Sequence, residues 1–282
     1  MEIYDKNKHG DEFRLRLLLT NACDKNCSFC LNDFQDKPKY GFKFLSPIIA
    51  RDYILNYSYF VQDNCSHVPL VNISGGEPGL HPDLLEIVEA CSGAKVHLML
   101  NTNGLVFKHR DWPQIAKHIS HLRIHVHPSE YIPYNQMGVN MPMSFQAVYT
   151  SPGLEHGYES LIKYYGVRGN CVKFFVNFKG SSFLDKLYED FIFRMREKYP
   201  QFNIEARFTG IQQNRGPGCT GCERKCITLK ALWVFPNGFS TPCPQVTPKV
   251  DIPFHKNVEA AYYFHKIKYI TFRKNGVLKV IL

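Results

Sequence analysis

Residues 121–127 read His-Leu-Arg-Ile-His-Val-His, so that Leu122, Ile124 and Val126 alternate with polar side chains. Such alternation predicts a β-strand with one apolar and one polar face. Residues 95–101 and 203–208 show the same pattern. Strands of a parallel sheet are usually apolar on both faces, because helices cover both. These runs therefore predict a sheet of which only one face is covered by helices.

Strand-like and helix-like patterns alternate from residue 13 to residue 208. The strand candidates are 13–20, 69–74, 95–101, 121–127, 172–178 and 203–208. The helix candidates between them are 47–59, 82–91, 112–118, 154–165 and 183–199. This rhythm favours parallel strands joined by crossover helices. With the polar strand faces, it predicts an α/β fold: a partial (β/α)6 TIM-type barrel with a polar concavity. An antiparallel sheet is the alternative, which the intervening helices disfavour. Residues 128–152 lack a clear period, and we expect a long loop there.

Composition excludes several classes of protein. Of the 282 residues, 44% are hydrophobic and 21% charged, which is typical of globular chains and not of disordered or fibrous ones. No apolar run approaches the length of a membrane span, and the N-terminus lacks a secretory signal. We therefore expect a cytoplasmic protein without a membrane partner. The net charge of +9 suits an acidic partner or solubility alone, but no Lys/Arg run indicates nucleic-acid binding.

Three cysteines follow the first predicted strand, namely Cys23, Cys27 and Cys30. Such thiolates suit zinc or an iron–sulfur cluster. A structural zinc site needs four ligands, and no fourth Cys or His lies nearby in the sequence. On a four-iron cluster, three cysteines leave one iron open to a chelating amine and carboxylate. This reasoning favours an iron–sulfur cluster with an open iron.

Three motifs in order carry a family resemblance. They are Cys23-x3-Cys27-x2-Cys30 with Phe29 before the last cysteine, Ser74-Gly75-Gly76-Glu77-Pro78 after the second strand, and Asn101-Thr-Asn-Gly104 after the third. Over residues 13–208 the chain resembles the radical S-adenosylmethionine (SAM) superfamily. The resemblance implies a partial barrel, a [4Fe–4S] cluster, SAM and a one-electron donor of the flavodoxin or ferredoxin type. It also implies the reaction, in which one electron cleaves SAM and a 5′-deoxyadenosyl radical abstracts a hydrogen atom from the substrate.

The resemblance also implies which residues hold these groups. Cys23, Cys27 and Cys30 would bind the cluster. The implied SAM contacts are Phe29, Gly75, Gly76, Glu77, Pro78, Asn101, His127 and Asn177. The serine usual on the fourth strand of this family is replaced by His125-Val-His127. These histidines can therefore equally be structural groups of the core.

A second group of cysteines comprises Cys219, Cys222, Cys226 and Cys243. Asn237-Gly238 predicts a hairpin that returns Cys243 toward the others. Four thiolates can close a zinc site or a fully ligated four-iron cluster. Similarity to the Twitch or SPASM extensions of radical SAM enzymes implies an auxiliary [4Fe–4S] cluster. If one thiol is not a ligand, Cys243 or Cys219 can donate a hydrogen atom. We expect a barrel at 1–210 and a cysteine-rich β-hairpin extension at 211–282.

Three functions follow as hypotheses. The first is a radical SAM enzyme that acts on a small anionic substrate, because basic residues outnumber Glu205 on the predicted polar strand faces; the outcome is epimerisation, dehydrogenation or rearrangement. The second is a maturase that modifies a peptide. The third, most remote, is a non-catalytic zinc or nucleic-acid-binding protein. The sequence does not identify the substrate.

Overall fold

The protein is represented by a computed structural model, which describes residues 13–30, 43–65, 67–137, 141–176, 182–207, 231–238 and 240–241. Within these residues nine strands form one sheet in the order β7-β6-β5-β4-β3-β2-β1-β8-β9. The strands are β1 (Arg14–Leu18), β2 (Leu70–Ser74), β3 (His97–Thr102), β4 (His121–His125), β5 (Met143–Tyr149), β6 (Cys171–Val176), β7 (Ile204–Arg207), β8 (Ala231–Val234) and β9 (Ser240–Thr241). All neighbouring pairs are parallel except β8 and β9.

Helices connect the parallel strands. The described ones are α1 (Pro47–Asn64), α2 (Leu84–Gly93), α3 (Trp112–Ile115), α4 (Tyr134–Met137), α5 (Glu155–Gly166) and α6 (Ser182–Lys198), with short 3₁₀ turns beside several of them. None is long and apolar enough to span a bilayer in the part of the chain that the structure describes. Pro47 opens α1, where its missing N–H costs no helical hydrogen bond. The predicted helix candidates thus correspond to described helices.

The two faces of the sheet differ as the sequence predicts. Leu122 and Ile124 of β4 are fully buried on the outer face, which packs against the helices. Tyr158 of α5 and Phe191 of α6 contact the ring of Phe174 there. The inner face carries polar side chains, among them Asn72 and Asn101, which are hydrogen-bonded to each other. The sheet is open and parallel, so the partial barrel is confirmed.

The sheet differs from the prediction in its strand count. We expected residues 128–152 to form a long loop, but β5 lies within this segment and pairs with both β4 and β6. Its outer side chains Phe145, Ala147 and Tyr149 are buried, and they alternate with Ser144 and Gln146. The alternation is therefore present in the sequence. The surrounding Pro, Asn and Met residues conceal it.

Lys95 corrects a second expectation. We expected the third strand, with its alternating polar face, to begin at residue 95, but β3 begins only at His97. Lys95 lies in the preceding turn with a left-handed φ of 55°. It lines a cavity of about 220 Å³ beside α1 and α2, with Ser58 and Gln62. This lysine therefore adds no charge to the inner face.

Toward the edge of the sheet opposite β7, β8 extends the sheet beyond β1. Arg16 of β1 is in register with Trp233 of β8, and its guanidinium lies 4.7 Å from the Trp233 ring centroid. The strand β9 returns antiparallel after a turn in which Gly238 has a φ of 82°. The cysteines of the predicted extension lie outside the described residues. The extension and the boundary at residue 210 thus stay predictions.

Candidate active site

Two loops meet at the carboxyl ends of β1 and β2. The cysteine loop, residues 21–30, follows β1, and the glycine loop, residues 75–79, follows β2. The amide of Gly76 donates to the carbonyl of Thr20 (2.6 Å), and the amide of Glu77 donates to the carbonyl of Ala22 (2.7 Å). Since β1 and β2 are adjacent parallel strands, their following loops necessarily lie side by side.

This contact requires glycine. A Cβ atom on Gly76 would lie 1.9 Å from the carbonyl oxygen of Ala22, and one on Gly75 would lie 2.6 Å from that of Thr20. Gly75 also has a φ of 128°, which side chains rarely adopt. The two glycines therefore bring the backbones of both loops into direct contact.

The carboxylate of Glu77 joins the glycine loop to the end of β3. It is fully buried. Its Oε1 accepts hydrogen bonds from the Gly79 amide (2.9 Å) and the Thr102 hydroxyl (2.8 Å), and its Oε2 accepts one from the Asn103 amide (2.7 Å). Burial raises the pKa of Glu77 to about 7, although these three donors act in the opposite direction. The Glu77 side chain thus holds the glycine loop against the end of β3.

Further contacts extend this connection to the cysteine loop. The Asn103 side-chain amide donates to Asp24 Oδ1 (2.6 Å) and lies 3.9 Å from Cys23 Sγ. On the other side, Lys25 Nζ donates to Glu130 Oε2 (2.5 Å) in the loop after β4. Hence the ends of β2, β3 and β4 all hold the cysteine loop. Sequence analysis did not predict roles for Asp24, Asn103 or Glu130.

The thiols of the cysteine loop have donor chemistry that fits an iron–sulfur cluster. Cys23 and Cys30 are half-buried and Cys27 is exposed. Partial desolvation by the neighbouring protein, followed by the charge of Cys30, raises the pKa of Cys27, so metal binding there must displace a proton. Among the described residues, no three His, Cys, Asp or Glu side chains converge as a metal-binding group. All three thiols nonetheless lie on one short loop beside the glycine loop.

Comparison with known proteins agrees with this arrangement. Residues 17–129 match the Radical SAM superfamily. The matched segment runs from β1 to the loop after β4 and contains both loops described above. It is less than half of the chain. The radical SAM match therefore covers the two loops and the inner wall that adjoins them.

Curated relatives match the same part of the chain. The GTP 3′,8-cyclase of Haemophilus ducreyi is 32% identical over 107 residues, which are 36% of this chain and 29% of the cyclase. A probable GTP 3′,8-cyclase of Methanocaldococcus jannaschii is 30% identical over 109 residues, 36% of this chain and 33% of that protein. The alignments thus span about a third of the relatives' length. With the radical SAM match, they indicate an enzyme.

Solved structures share the fold. Streptococcus suis SuiB bound to the precursor peptide SuiA superposes with a TM-score of 0.59 and 15% identity, covering 89% of this chain and 64% of SuiB. SuiB bound to S-adenosylmethionine gives a TM-score of 0.57 at 16% identity, over 93% of this chain and 70% of that structure. Native anSMEcpe with bound AdoMet gives 0.55 at 13% identity, over 88% and 82%. At these identities the likeness concerns the fold.

The structure places most of the predicted SAM-binding residues at the mouth. Phe29 lies half-buried on the cysteine loop, and Pro78 is buried at the start of a 3₁₀ turn after the glycines. Asn101 donates its side-chain amide to the Ile73 carbonyl (3.1 Å). His127 Nδ1 is 2.7 Å from the Ser129 hydroxyl. The SAM contacts of these residues stay predictions.

The remaining predicted site residues lie outside the described part of the chain. They are Asn177, Cys219, Cys222, Cys226 and Cys243. Their roles as a SAM contact, as ligands of a second cluster, or as a hydrogen-atom donor in the case of Cys219 and Cys243, stay predictions. The described part brings together only the cysteine loop, the glycine loop and the ends of β3 and β4.

Proposed function

We propose that this chain is a radical SAM enzyme that reductively cleaves SAM and abstracts a hydrogen atom from a small, anionic substrate. The observation that carries the proposal is the direct contact between the cysteine loop and the glycine loop, made by the amides of Gly76 and Glu77. This contact brings the loop that carries the three cysteines against the glycine loop at the carboxyl end of the sheet. A cluster ligand and a methionine-binding backbone are needed at one place for this chemistry.

The residues of the chain contribute binding and orientation. Cys23, Cys27 and Cys30 would hold a [4Fe–4S] cluster, which when bound supplies one electron to SAM. The electron would come from a flavodoxin-type or ferredoxin-type donor. The bound cluster and SAM would together supply the 5′-deoxyadenosyl radical, and the hydrogen atom lost by the substrate would be recovered in 5′-deoxyadenosine, with methionine as the other product. The backbone of Gly75 and Gly76 would bind methionine, while Glu77 keeps their loop in position.

The test is formation of 5′-deoxyadenosine from SAM after anaerobic reconstitution and reduction. We expect product from the native chain and none from Cys27→Ser, because a cluster that lacks one of three protein ligands is not retained. Cys91→Ser is the matched control, since Cys91 lies in α2 and belongs to neither the cysteine loop nor the glycine loop. Equal product formation by the native chain and Cys27→Ser would contradict the proposal.

The substrate class rests on the inner face of the barrel. Arg16, Arg123 and Lys173 lie on strands whose inner residues line the concavity, and Glu205 is the acidic group paired with Lys173. This excess of positive charge supports an anionic group on the substrate. The relatives named as GTP 3′,8-cyclases, which by their name act on a nucleotide, support the same class. The outcome after hydrogen abstraction is epimerisation, dehydrogenation or rearrangement.

A peptide is the alternative substrate. The fold likeness to SuiB, whose structure contains the precursor peptide SuiA, favours this alternative. A maturase would bind a leader or core peptide and would leave free nucleotides unchanged. Incubation of the reduced enzyme with SAM and cell-extracted nucleotides, and separately with candidate precursor peptides, distinguishes the two. Substrate-dependent acceleration of 5′-deoxyadenosine formation marks the correct class.

A second cluster belongs to the same proposal. Cys219, Cys222, Cys226 and Cys243 would ligate an auxiliary [4Fe–4S] cluster in a Twitch-like or SPASM-like extension. The test is the iron content of the Cys23/Cys27/Cys30→Ala variant after anaerobic reconstitution. About four remaining irons per chain, the content of one [4Fe–4S] cluster, support the auxiliary cluster. Zinc in place of iron would make these cysteines structural. We place the enzyme in the cytoplasm, where the electron donors reside.

A further inference from the structure

Four inner-face residues lie in one register row across the half of the sheet away from the cysteine loop. His125 of β4 pairs with Gln146 of β5, Gln146 pairs with Lys173 of β6, and Lys173 pairs with Glu205 of β7. Residues in register on parallel strands point to the same face, so these side chains form a line across the concavity. At a strand spacing of ~4.8 Å, the line is roughly 14 Å long. We call it the β4–β7 row.

The two ends of the row differ in how their polar groups are used. Lys173 and Glu205 form an ion pair, and Arg123 adds positive charge near Glu205. An anion that binds Lys173 must therefore compete with Glu205. By contrast, within the described residues neither Gln146 nor His125 makes a side-chain hydrogen bond to the protein, and neither has a buried polar atom without a partner, so their polar atoms are open to water. The neutral end of the row thus has donors and acceptors to offer to a ligand.

Gln146 is the unusual member. Its residue is 7% exposed, yet its carboxamide faces the concavity without a protein partner in the described chain. The carboxamide is open to water in the concavity, so a ligand bound there would displace that water and form hydrogen bonds to the carboxamide in its place. A carboxamide presents one acceptor and one donor side by side in a plane. Its natural complement is another planar group with a donor and an acceptor on one edge.

His125 adds to this preference. It is the last residue of β4 and is exposed at the mouth of the concavity, next to Gln146. A neutral imidazole has one donor and one acceptor. The neutral end of the row therefore offers hydrogen bonds and no charge.

We propose that the β4–β7 row is the substrate-recognition subsite, and that Gln146 there reads a planar amide edge of the substrate. This edge is either the lactam of a purine base or a peptide amide. The proposal rests on the proposed function and deepens it, because it names the part of the substrate that the anionic-group argument leaves open. Gln146 is assigned as a specificity-determining residue and takes no part in bond cleavage.

The test is calorimetric titration of the reconstituted enzyme with SAM present. Three probes are used: guanosine 5′-monophosphate, which has a lactam and a phosphate; adenosine 5′-monophosphate, which has the phosphate without the lactam; and N-acetyl-diglycine amide, which has amide edges without phosphate. The variant is Gln146→Leu, which keeps the size and removes the hydrogen bonds. The matched control is His97→Leu, since His97 is an exposed inner-face residue at the first position of β3 and is not part of the β4–β7 row.

We expect at least one amide probe to bind, and Gln146→Leu to weaken that binding by about 10-fold or more, the size of a lost bidentate contact. His97→Leu should leave it unchanged. Binding of the guanine nucleotide alone identifies a base edge, and binding of the peptide alone identifies a peptide amide. No binding by either amide probe, equal binding of the two nucleotides, or indifference to Gln146→Leu overturns the proposal.

Two further measurements distinguish failure of the subsite proposal from failure of the proposed function. Substrate-independent formation of 5′-deoxyadenosine in the same samples tests the proposed function without involving the row. The thermal unfolding midpoint of Gln146→Leu tests whether the variant folds, and Gln146→Glu serves as a second variant that keeps an acceptor but loses the donor. If SAM cleavage persists while both variants bind the probes as tightly as the native chain does, the proposed function stands and the subsite proposal is wrong.

Discussion

Thr102 illustrates how one hydroxyl serves two loops. It is buried, donates to Glu77 Oε1 (2.8 Å) and accepts from the Gly104 amide (2.9 Å). We predict that Thr102→Val lowers the free energy of unfolding by about 1–3 kcal/mol, because a buried carboxylate oxygen and a half-buried amide each lose a partner. Chemical denaturation of both proteins measures this. Thr102→Ser keeps the hydroxyl and should recover most of the loss; equal loss in both variants would contradict the explanation.

Glu77 should make stability depend on pH. Its folded-state pKa of about 7 lies above its ordinary value of 4.5, mainly because of burial. Between these values the folded state binds more protons than the unfolded state, so the free energy of unfolding falls as pH rises. Between pH 4.5 and 7 we expect this effect to lower the free energy of unfolding of the native chain by up to about 3 kcal/mol. Glu77→Gln should lose this decrease. Glu86→Gln, on an exposed position of α2, should keep the native slope. Parallel curves for Glu77→Gln and the native chain would disprove the assignment.

At the scale of elements, the need for glycine in the glycine loop can be tested by comparing Gly76→Ala with an alanine substitution at a glycine that makes no close contact. Gly76→Ala should abolish SAM cleavage and lower the unfolding midpoint, because its Cβ would lie 1.9 Å from the Ala22 carbonyl oxygen. Gly93→Ala is the control: it lies at the end of α2 and its Cβ would meet nothing within 4 Å. Product formation and thermal midpoint are measured for both. Native-like behaviour of Gly76→Ala would mean that the loops do not need this contact.

The strand that sequence analysis missed is a full member of the core. Phe145 of β5 is fully buried and stacks on Tyr165 of α5 with ring centroids 3.6 Å apart. We predict that Phe145→Ala lowers the free energy of unfolding by about 3–5 kcal/mol, the cost of removing a buried aromatic ring. Phe193→Ala, at a residue 64% exposed on α6, should change it by less than about 0.5 kcal/mol. Similar values for the two variants would exclude β5 from the core.

The elements differ in how far the sequence predicts them. Leu122, Ile124 and Val126 alternate so regularly that β4 follows from the pattern alone. The run that forms β5 has the same period, but it follows a segment rich in Pro and Asn, which normally indicates loops. Its identity as a strand depends on pairing with β4 and β6, and such non-local contacts leave no local sequence signal.

At the scale of the whole molecule, β8 connects the predicted extension to the barrel. It pairs with β1 in parallel register, and without it the edge of β1 would present unpaired backbone groups. We predict that a chain ending at residue 210 aggregates or unfolds at lower temperature than a chain ending at residue 241, which keeps β8 and β9. Size-exclusion chromatography and thermal unfolding measure this. Cys219/Cys222/Cys226→Ser in the longer chain controls for lost cysteines, and equal behaviour of all three chains would show that β8 is dispensable.

The placement of the site follows from strand order, whereas its internal contacts do not. The family resemblance implied that Cys23 and Gly76 serve one reaction, and in the structure their loops are in contact because they follow adjacent parallel strands. The burial of Glu77 was not predicted, because the motif alone does not show that Thr102 and Asn103 would surround the carboxylate. Gln146 was missed together with its strand. Sequence motifs thus locate the mouth, and the tertiary pairing decides which polar groups face a ligand.

The contact between the two loops has a consequence for hydrogen exchange. The amide hydrogens of Gly76 and Glu77 are bonded to carbonyls of Thr20 and Ala22, so they exchange with solvent only when the cysteine loop separates from the glycine loop. Deuterium uptake in a peptide containing these amides therefore reports the opening of a loop to which they do not belong. Any ligand that holds the cysteine loop in place should therefore slow deuterium exchange at the amides of Gly76 and Glu77.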